Sequence, residues 1–434
     1  MDIRNTAFEI YMKSLDSARV GGSADELKGL SPQETAFVKR LVMTALRRQE
    51  FIKSVIRGYA AKKIPARPDA PHAAIILGAV EVLYFHTPDY ATVNSYVELA
   101  KKKGGKYAGG FVNAVLRKIC RDRGQIAARP PLPIPSLRTA LPFFPPAFKE
   151  MLRRDYSGRQ IAAIEKAAVE EPALDITVRA DPEDWREKLG GRLMGSGSIR
   201  LNDAGSVAEL PGFKDGCWWV QDFSAALPVI ALGSVEGRKV LDLCAAPGGK
   251  TAQLIAGKAD VTALDVSAAR LKTMEENLAR LHMKAQKVIA ADALEYLSDC
   301  PQFDIVLLDA PCSADGTLRR HPEIVHTRTV SDVRRSAGLQ QKLLNAAAKA
   351  VAPGGILMYA VCSMSKDEGE RQIGRFVAEH PDFAVLPVAA EEINPFRQPG
   401  FERLITSEGF IRCLPDMLDG IDGFFAARLQ KQTT

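Results

Sequence analysis

Hydrophobic positions recur at helical spacing over roughly the first 125 residues, then in short alternating runs, then from Val235 onward as alternating strands and helices. In the first stretch, Ser31-Pro32-Gln33-Glu34 predicts a helix start, with Ser as N-cap, Pro at the first helical position and Glu closing a capping box. The helix that follows turns Phe37, Leu41 and Leu46 inward, with Lys39, Arg40, Arg47 and Arg48 between them. The longest apolar run, residues 72–85, is too short to span a bilayer and carries Glu81, so it predicts a buried helix. A further helix covers 92–100, and Lys101, Lys102, Lys103 and Lys106 close it, where cations suit the helix dipole. Residues 148–170 read as one helix. After it, strands near 175–179, 198–201 and 217–221 and a helix over 182–189 make a small α+β unit.

The alternation beyond Val235 predicts strands near 239–243, 260–264, 285–290, 304–309 and 355–361, and helices near 250–256, 267–281, 332–351 and 367–379. The tail, 409–414 and 423–429, reads as a final hairpin on the sheet edge. This is the pattern of a doubly wound parallel sheet, which binds ligands at the C-terminal ends of its strands. Asp242, Asp265, Asp292, Asp309 and Cys362 all fall at or just after such ends. The first strand runs into Cys244-Ala-Ala-Pro-Gly-Gly-Lys250, a tight loop whose glycines let a ligand approach the backbone.

Two readings of that loop compete. Gly249-Lys250-Thr251 matches the end of a phosphate-binding Walker loop, but the Gly required five places earlier is Cys244, and Pro247 removes an N–H donor. The next strand ends in Asp265, the spacing at which an acid meets ribose hydroxyls in adenosine-binding folds. The adenosyl reading is the better one.

Length and charge refine the picture. A chain of 434 residues suggests two or three domains. Seven scattered cysteines without a C-x-x-C pair argue against zinc and against a disulfide framework, and the N-terminus lacks a signal peptide's apolar region; a reducing cytoplasm, no metal and no membrane are expected. Residues 1–130 hold 22 Lys and Arg against 12 Asp and Glu, and the remainder 36 against 40, so the basic excess sits in the first third. That asymmetry suggests a polyanion-binding module on an otherwise balanced enzyme. Seven prolines between Ile126 and Pro146 predict a stiff connector. The expected division is 1–128, linker 129–146, a small unit 147–232 and a catalytic domain 233–434.

Asp309-Ala-Pro-Cys312 follows one strand and Cys362-Ser363 another. Two cysteines at neighbouring strand ends could bind metal, form a disulfide or act as nucleophiles; His321 and His326 offer only a weak metal site, and a cytoplasmic disulfide is disfavoured. A thiolate beside a carboxylate and an adenosyl site suits C5-methylation of a pyrimidine. C5 becomes nucleophilic once a thiolate adds at C6 and an acid steadies N3, and the base must be unstacked to reach such a pocket.

Residues 91–101 and 110–118, with Phe-Val-Asn-x-Val-Leu-Arg, resemble the closing segments of the NusB-like RNA-binding domain, which implies a helical bundle contacting RNA through Lys and Arg. Asp242-Leu-Cys-Ala-Ala-Pro-Gly-Gly-Lys-Thr251, Asp309-Ala-Pro-Cys-Ser-Ala-x-Gly316 with Arg319-Arg-His-Pro322, Cys362-Ser363 and Asp422-Gly-Phe-Phe425 resemble the RNA cytosine-C5 methyltransferase family, in its RsmB/Sun branch. The resemblance implies a Rossmann-like class I domain using S-adenosylmethionine, with Cys244, Ala245, Ala246, Pro247, Gly248, Gly249 and Lys250 lining the cofactor. Asp265 would take the ribose, Asp292 the adenine side, and Asp309 both cofactor and base. It further implies Cys362 as nucleophile and Cys312 as the group assisting product release, although Pro311-Cys312 also resembles the nucleophile motif of DNA cytosine-C5 methyltransferases. The implied partner is RNA, 16S ribosomal RNA or a small-subunit assembly intermediate, met by a monomer. A tRNA-directed enzyme and a non-catalytic RNA-binding assembly factor are the alternatives. Val361, Ile305 and Arg179 depart from the family pattern, the last at an expected RNA contact.

Overall fold

The computed structural model of the chain describes residues 2–16, 26–59, 64–85, 87–127, 143–202 and 204–433. They fall into two units, Met1–Glu170 with Arg320–Thr329, and Glu171–Arg319 with Val330–Thr434. Most of the Pro-rich connector, 128–142, lies outside the described residues.

The first unit is helical: α1 (Ile3–Ser14), α2 (Pro32–Arg57), α3 (Ala70–Val80), α4 (Asp89–Gly104), α5 (Ala108–Arg121), α6 (Arg123–Ala127), α7 (Pro146–Leu152) and α8 (Gly158–Ala168). The capping box forms as its sequence predicts, with the Glu34 N–H donating to Ser31 Oγ at 3.2 Å and the Ser31 N–H to Glu34 Oε2 at 2.8 Å. Leu41 and Leu46 are buried, and Phe37 packs against the same core. The apolar run is helical, but it ends in a π-helical turn, Glu81–Phe85. Glu81 is fully buried there and satisfied by the Arg4 guanidinium at 2.8 and 3.0 Å and the Tyr96 hydroxyl at 2.6 Å.

The helix expected over 148–170 is two helices. Ser157 starts α8 with a capping box of its own, its Oγ accepting the Gln160 N–H and its N–H donating to Gln160 Oε1. Both α7 and α8 belong to this unit, where Glu165 accepts the Phe143 and Phe144 N–H groups at 2.6 and 2.8 Å. Arg320–Thr329 belongs to it as well. His326 contacts the Leu46 carbonyl at 3.0 Å and Gln49 Nε2 at 3.1 Å, and burial pushes its imidazole down to about 4.

In the second unit, β1 (Leu174–Val178), β2 (Arg192–Leu193), β3 (Ile199–Leu201) and β4 (Trp218–Val220) form an antiparallel sheet in the order β2-β3-β1-β4, with α9 (Pro182–Leu189) beside it. Trp218 and Trp219 are 0% and 5% exposed and donate to Pro211 O and Gln221 Oε1, which makes them core residues. Then α10 (Phe223–Ala231) leads to β5 (Lys239–Leu243), α11 (Gly249–Ala256), β6 (Asp260–Asp265), α12 (Ala268–Arg280), β7 (Lys287–Ala290), α13 (Ala293–Tyr296) and β8 (Phe303–Asp309). After α14 (Ile324–Thr327) come α15 (Val330–Ala350), β9 (Val351–Val361), α16 (Glu370–Glu379), β10 (Phe383–Val385), β11 (Ile411–Cys413) and β12 (Phe424–Lys431).

The large sheet runs β10-β12-β9-β8-β5-β6-β7, with β11 also paired to β12. Strands β5 to β9 pair in parallel and β12 is antiparallel to β9. Side chains alternate between two cores, as strands buried on both faces require. Val240, Ile305, Leu307, Met358 and Ala360 pack with Leu227 and Leu254, while Leu241, Leu308, Leu357 and Tyr359 pack with Leu343 and Phe376. The predicted tail hairpin forms, but β12 is interior: β10 and β11 share its outer edge. The chain moves from β5 outward to β7 and returns through β8 beside β5, so the topological switch point lies between β5 and β8.

Candidate active site

The loop after β5 turns through Cys244 (φ +60°) and Gly248 (φ +98°), and α11 begins at Gly249. A Cβ on Gly248 would lie 2.4 Å from Met274 Cγ, so the loop holds its course only with glycine there. Ala245, Pro247, Gly248, Gly249, Lys250, Asp242 and Asp309 line a cavity of about 420 Å³ closed on its other side by Trp219, Gln221 and Arg280. Lys250 Nζ lies 2.7 Å from Asp309 Oδ2. Burial alone would lower the Lys250 ammonium's pKa, but the Asp309 charge and hydrogen bond outweigh it and raise the pKa.

Asp242 is the feature that points to a ligand. It is 0% exposed and lines the cavity; one oxygen accepts the Thr251 hydroxyl at 2.6 Å and Oδ1 has no partner. Burial, with the Asp309 charge adding to it, pushes its carboxyl up to about 7. A cation-bearing ligand would satisfy it. Cys244 is also pushed up, to about 12, by burial and the carboxylates of Asp309, Asp265 and Asp242, so it serves the loop's shape and not as a nucleophile.

Of the other expected cofactor residues, Cys244, Ala246, Asp265 and Asp292 do not line this cavity. Asp265 is 1% exposed and ties the loop to β6, accepting the Ala246 N–H at 3.2 Å and the Ser267 N–H at 2.9 Å, with Arg270 3.1 Å away. Val266, 71% exposed, offers an apolar surface at that same strand end, which sequence reading passed over. Asp292 caps α13 through the Leu294 N–H at 2.7 Å.

At the ends of β8 and β9, Cys312 Sγ and Cys362 Sγ approach to 3.3 Å, although 50 residues separate them. The hydrogen bond to Cys362, then burial, holds the Cys312 thiol well above its ordinary range, so Cys312 keeps its proton. Gly316 and Gly423 lock the neighbouring loops by backbone contact: the Gly316 N–H donates to Cys362 O at 3.1 Å and the Gly423 N–H to Gly316 O at 2.8 Å. Asp315 supports the same corner by accepting the Met364 N–H at 2.6 Å, which makes it a loop residue. Arg319 is 5% exposed with its guanidinium against Gly420, so it pins the loop. All seven cysteines are free, and no cluster among the described residues could hold a metal. No described helix is long and apolar enough to cross a membrane.

A doubly wound sheet with an acid-lined cavity at its switch point and paired thiols at the next strand ends, in a chain with a basic helical unit, has the parts of an enzyme that acts on a polyanion. Comparison with known proteins carries this further. Residues 229–430 match the 16S rRNA methyltransferase RsmB/F family, and residues 1–121 match the NusB family. The chain belongs to the RsmB/F family of methyltransferases. It is 32% identical over 93% of its length to the ribosomal RNA small subunit methyltransferase B of Erwinia tasmaniensis, covering 92% of that protein. It is 31% identical over the full length of both chains to the protein of that name from Vibrio vulnificus. Among solved structures, PH0851 superposes with a TM-score of 0.73 at 22% identity, covering 98% of this chain and 99% of that one, a likeness of fold. A methyltransferase homolog from Pyrococcus horikoshii gives a TM-score of 0.53 at 26% identity, covering 66% and 99%.

The residues present fit that family's methyl donor. The orphaned Asp242 oxygen suits an ammonium, and the loop from Ala245 to Lys250 admits the ligand along its backbone.

Proposed function

We propose that this protein methylates C5 of a cytosine in small-subunit ribosomal RNA through a covalent bond between Cys362 and C6 of the base. The observation that carries the reading is the pair of thiols 3.3 Å apart at adjacent strand ends, on the same edge of the sheet as Asp309 and the loop. Asp242, Asp309 and the 244–250 loop would hold S-adenosylmethionine, with Asp265 and Asp292 at its ribose and adenine ends; when bound, it supplies an electrophilic methyl group.

The chain's own part follows from the geometry. Cys312 is held protonated beside Cys362 Sγ, so the nucleophile's role falls to Cys362. Thiolate addition at C6 pushes an electron pair through the ring towards N3, and Asp309, with the Lys250 ammonium 2.7 Å from its carboxylate to relay a proton, steadies the charge there. Once Cys362 is a thioether, the hydrogen bond that kept the Cys312 proton in place is lost. Cys312 then becomes the stronger acid and gives its proton to solvent; its thiolate takes the C5 proton, the C5–H electron pair restores the C5–C6 double bond, and the C6–S bond breaks with Cys362 leaving as thiolate. The base reaches this site only unstacked.

Incubation with RNA carrying 5-fluorocytidine, which cannot lose its C5 substituent as a proton, tests the assignment by denaturing electrophoresis. Wild type and Cys312→Ala should give a protein–RNA adduct and Cys362→Ala none. Adduct with Cys362→Ala but not Cys312→Ala would reverse the two roles, and no adduct with any of the three would remove the C5 chemistry.

A further inference from the structure

Each of the paired cysteines is followed by a serine, and both serines are bonded to one buried carboxylate. Glu368 is 0% exposed and lies between β9 and α16. Its Oε1 accepts the Ser313 N–H at 2.8 Å and Gln340 Nε2 at 3.0 Å. Its Oε2 accepts the Ser363 hydroxyl at 2.6 Å and the Ser313 hydroxyl. Gln340 also donates to the Pro311 carbonyl at 3.0 Å, and the Tyr359 hydroxyl to the Glu368 carbonyl at 2.7 Å.

We infer that Glu368 is a positioning residue that sets the register of the Cys312 and Cys362 loops and thereby the separation of their sulfurs. The geometric part stands on the contacts alone; its consequence for rate rests on the roles proposed above for the two thiols. Thiols brought from separate strand ends have no covalent reason to stay 3.3 Å apart, and a shared acceptor for the residue after each supplies one. Loss of the acceptor would leave the buried Ser313 N–H unpaired and both loops free to relax. The carboxylate charge acts as well: after the Cys362 hydrogen bond, burial and the Cys362 charge, Glu368 is the next cause holding the Cys312 proton. Among the described residues, other ionisable groups facing the cluster include Lys250, Asp315, Tyr359 and Arg412, whose guanidinium binds the Ser363 carbonyl at 2.7 Å and pairs with Glu370.

The test uses the full-length protein with Glu368→Gln, which keeps the shape and loses the charge, and Glu368→Ala, which loses both. Cys312 alkylation by iodoacetamide is followed against pH by peptide mass spectrometry, alongside melting temperature, kcat and KM. In Glu368→Gln the Cys312 profile should move to lower pH. In both variants kcat should fall about tenfold or more with KM for RNA nearly unchanged. An unmoved Cys312 profile in Glu368→Gln, or a wild-type kcat in either variant, would overturn the inference. A lowered melting temperature with an unmoved profile would mean a merely structural residue. Should Glu368→Ala fail to fold, Glu368→Gln decides alone. A moved profile in a protein that forms no 5-methylcytosine would leave the positioning intact and sink the reaction proposed above.

Discussion

Asp242 is a side chain whose placement makes sense only with a ligand beside it. A carboxyl pushed up to about 7 by burial binds a proton in the folded state that the unfolded chain, titrating near 3.8, releases. Its contribution to stability is therefore complete below about pH 4 and falls as pH rises towards 7. Asp242→Asn does not titrate, so between pH 5 and pH 8 the apo variant should gain about 2 kcal/mol on wild type by urea unfolding. The same difference at both pH values would contradict the assigned environment. Asp315, also pushed up to about 7, and His326, pushed down to about 4, titrate in both proteins and cancel in the comparison. The same variant should bind S-adenosylmethionine more weakly by calorimetry, since the partnerless oxygen is the one offered to the ligand. Burial also removes two further cysteines from the chemistry. Cys244 and Cys413, each raised to about 12, are inert, and only Cys312 and Cys362 face one another.

Between elements, what the sequence made legible was whatever depends on near neighbours. The capping box of α2, the span of α9 and the positions of the parallel strands along the chain were all readable from period and turn residues. Ser157-x-x-Gln160 was a legible signal too, since the same cap chemistry that starts α2 breaks the 148–170 helix. Pairing between distant segments was not legible: nothing local places β12 inside the sheet with β10 and β11 on its outer edge. Glu368 was hidden for the same reason. It sits among Asp367, Gly369 and Glu370, a stretch that reads as a solvated helix start, and its burial needs Ser313, Gln340 and Ser363 to converge from three places. Gly316 and Gly423 belonged to quoted motifs, but only the fold shows them touching. A Cβ on Gly316 would sit 2.0 Å from Gly423 O, backbone that cannot yield as a side chain can. Gly316→Ala should therefore destabilise by about 2 kcal/mol or more in denaturant unfolding and abolish 5-fluorocytidine trapping, whereas Gly338→Ala, with open space around its Cβ position, should do neither. Equal stability of the two variants would mean that the corner is not rigid.

At the scale of the whole molecule, the units do not follow the order of the chain, because Arg320–Thr329 leaves the catalytic unit and returns to it after joining the helical one. The helical unit holds the basic excess, and its charge is not all available. Lys101 pairs with Glu98 at 2.6 Å and Lys103 with Glu9, whereas among the described residues Lys102 and Lys106 have no ion pair. All four are exposed, with Tyr107 93% exposed at the end of the run. Phosphates neutralised by such lysines release counterions, so RNA affinity falls as a power of salt concentration. If the run binds RNA, replacing Lys102 and Lys106 by Ala should reduce the slope of log K against log salt by about 1.5 and raise KM for RNA. The dissociation constant for S-adenosylmethionine should not move, because the cavity that would hold it is built wholly from residues of the second unit. An unchanged salt slope would assign the RNA contact to another face and leave these lysines as solvated charge at the end of α4.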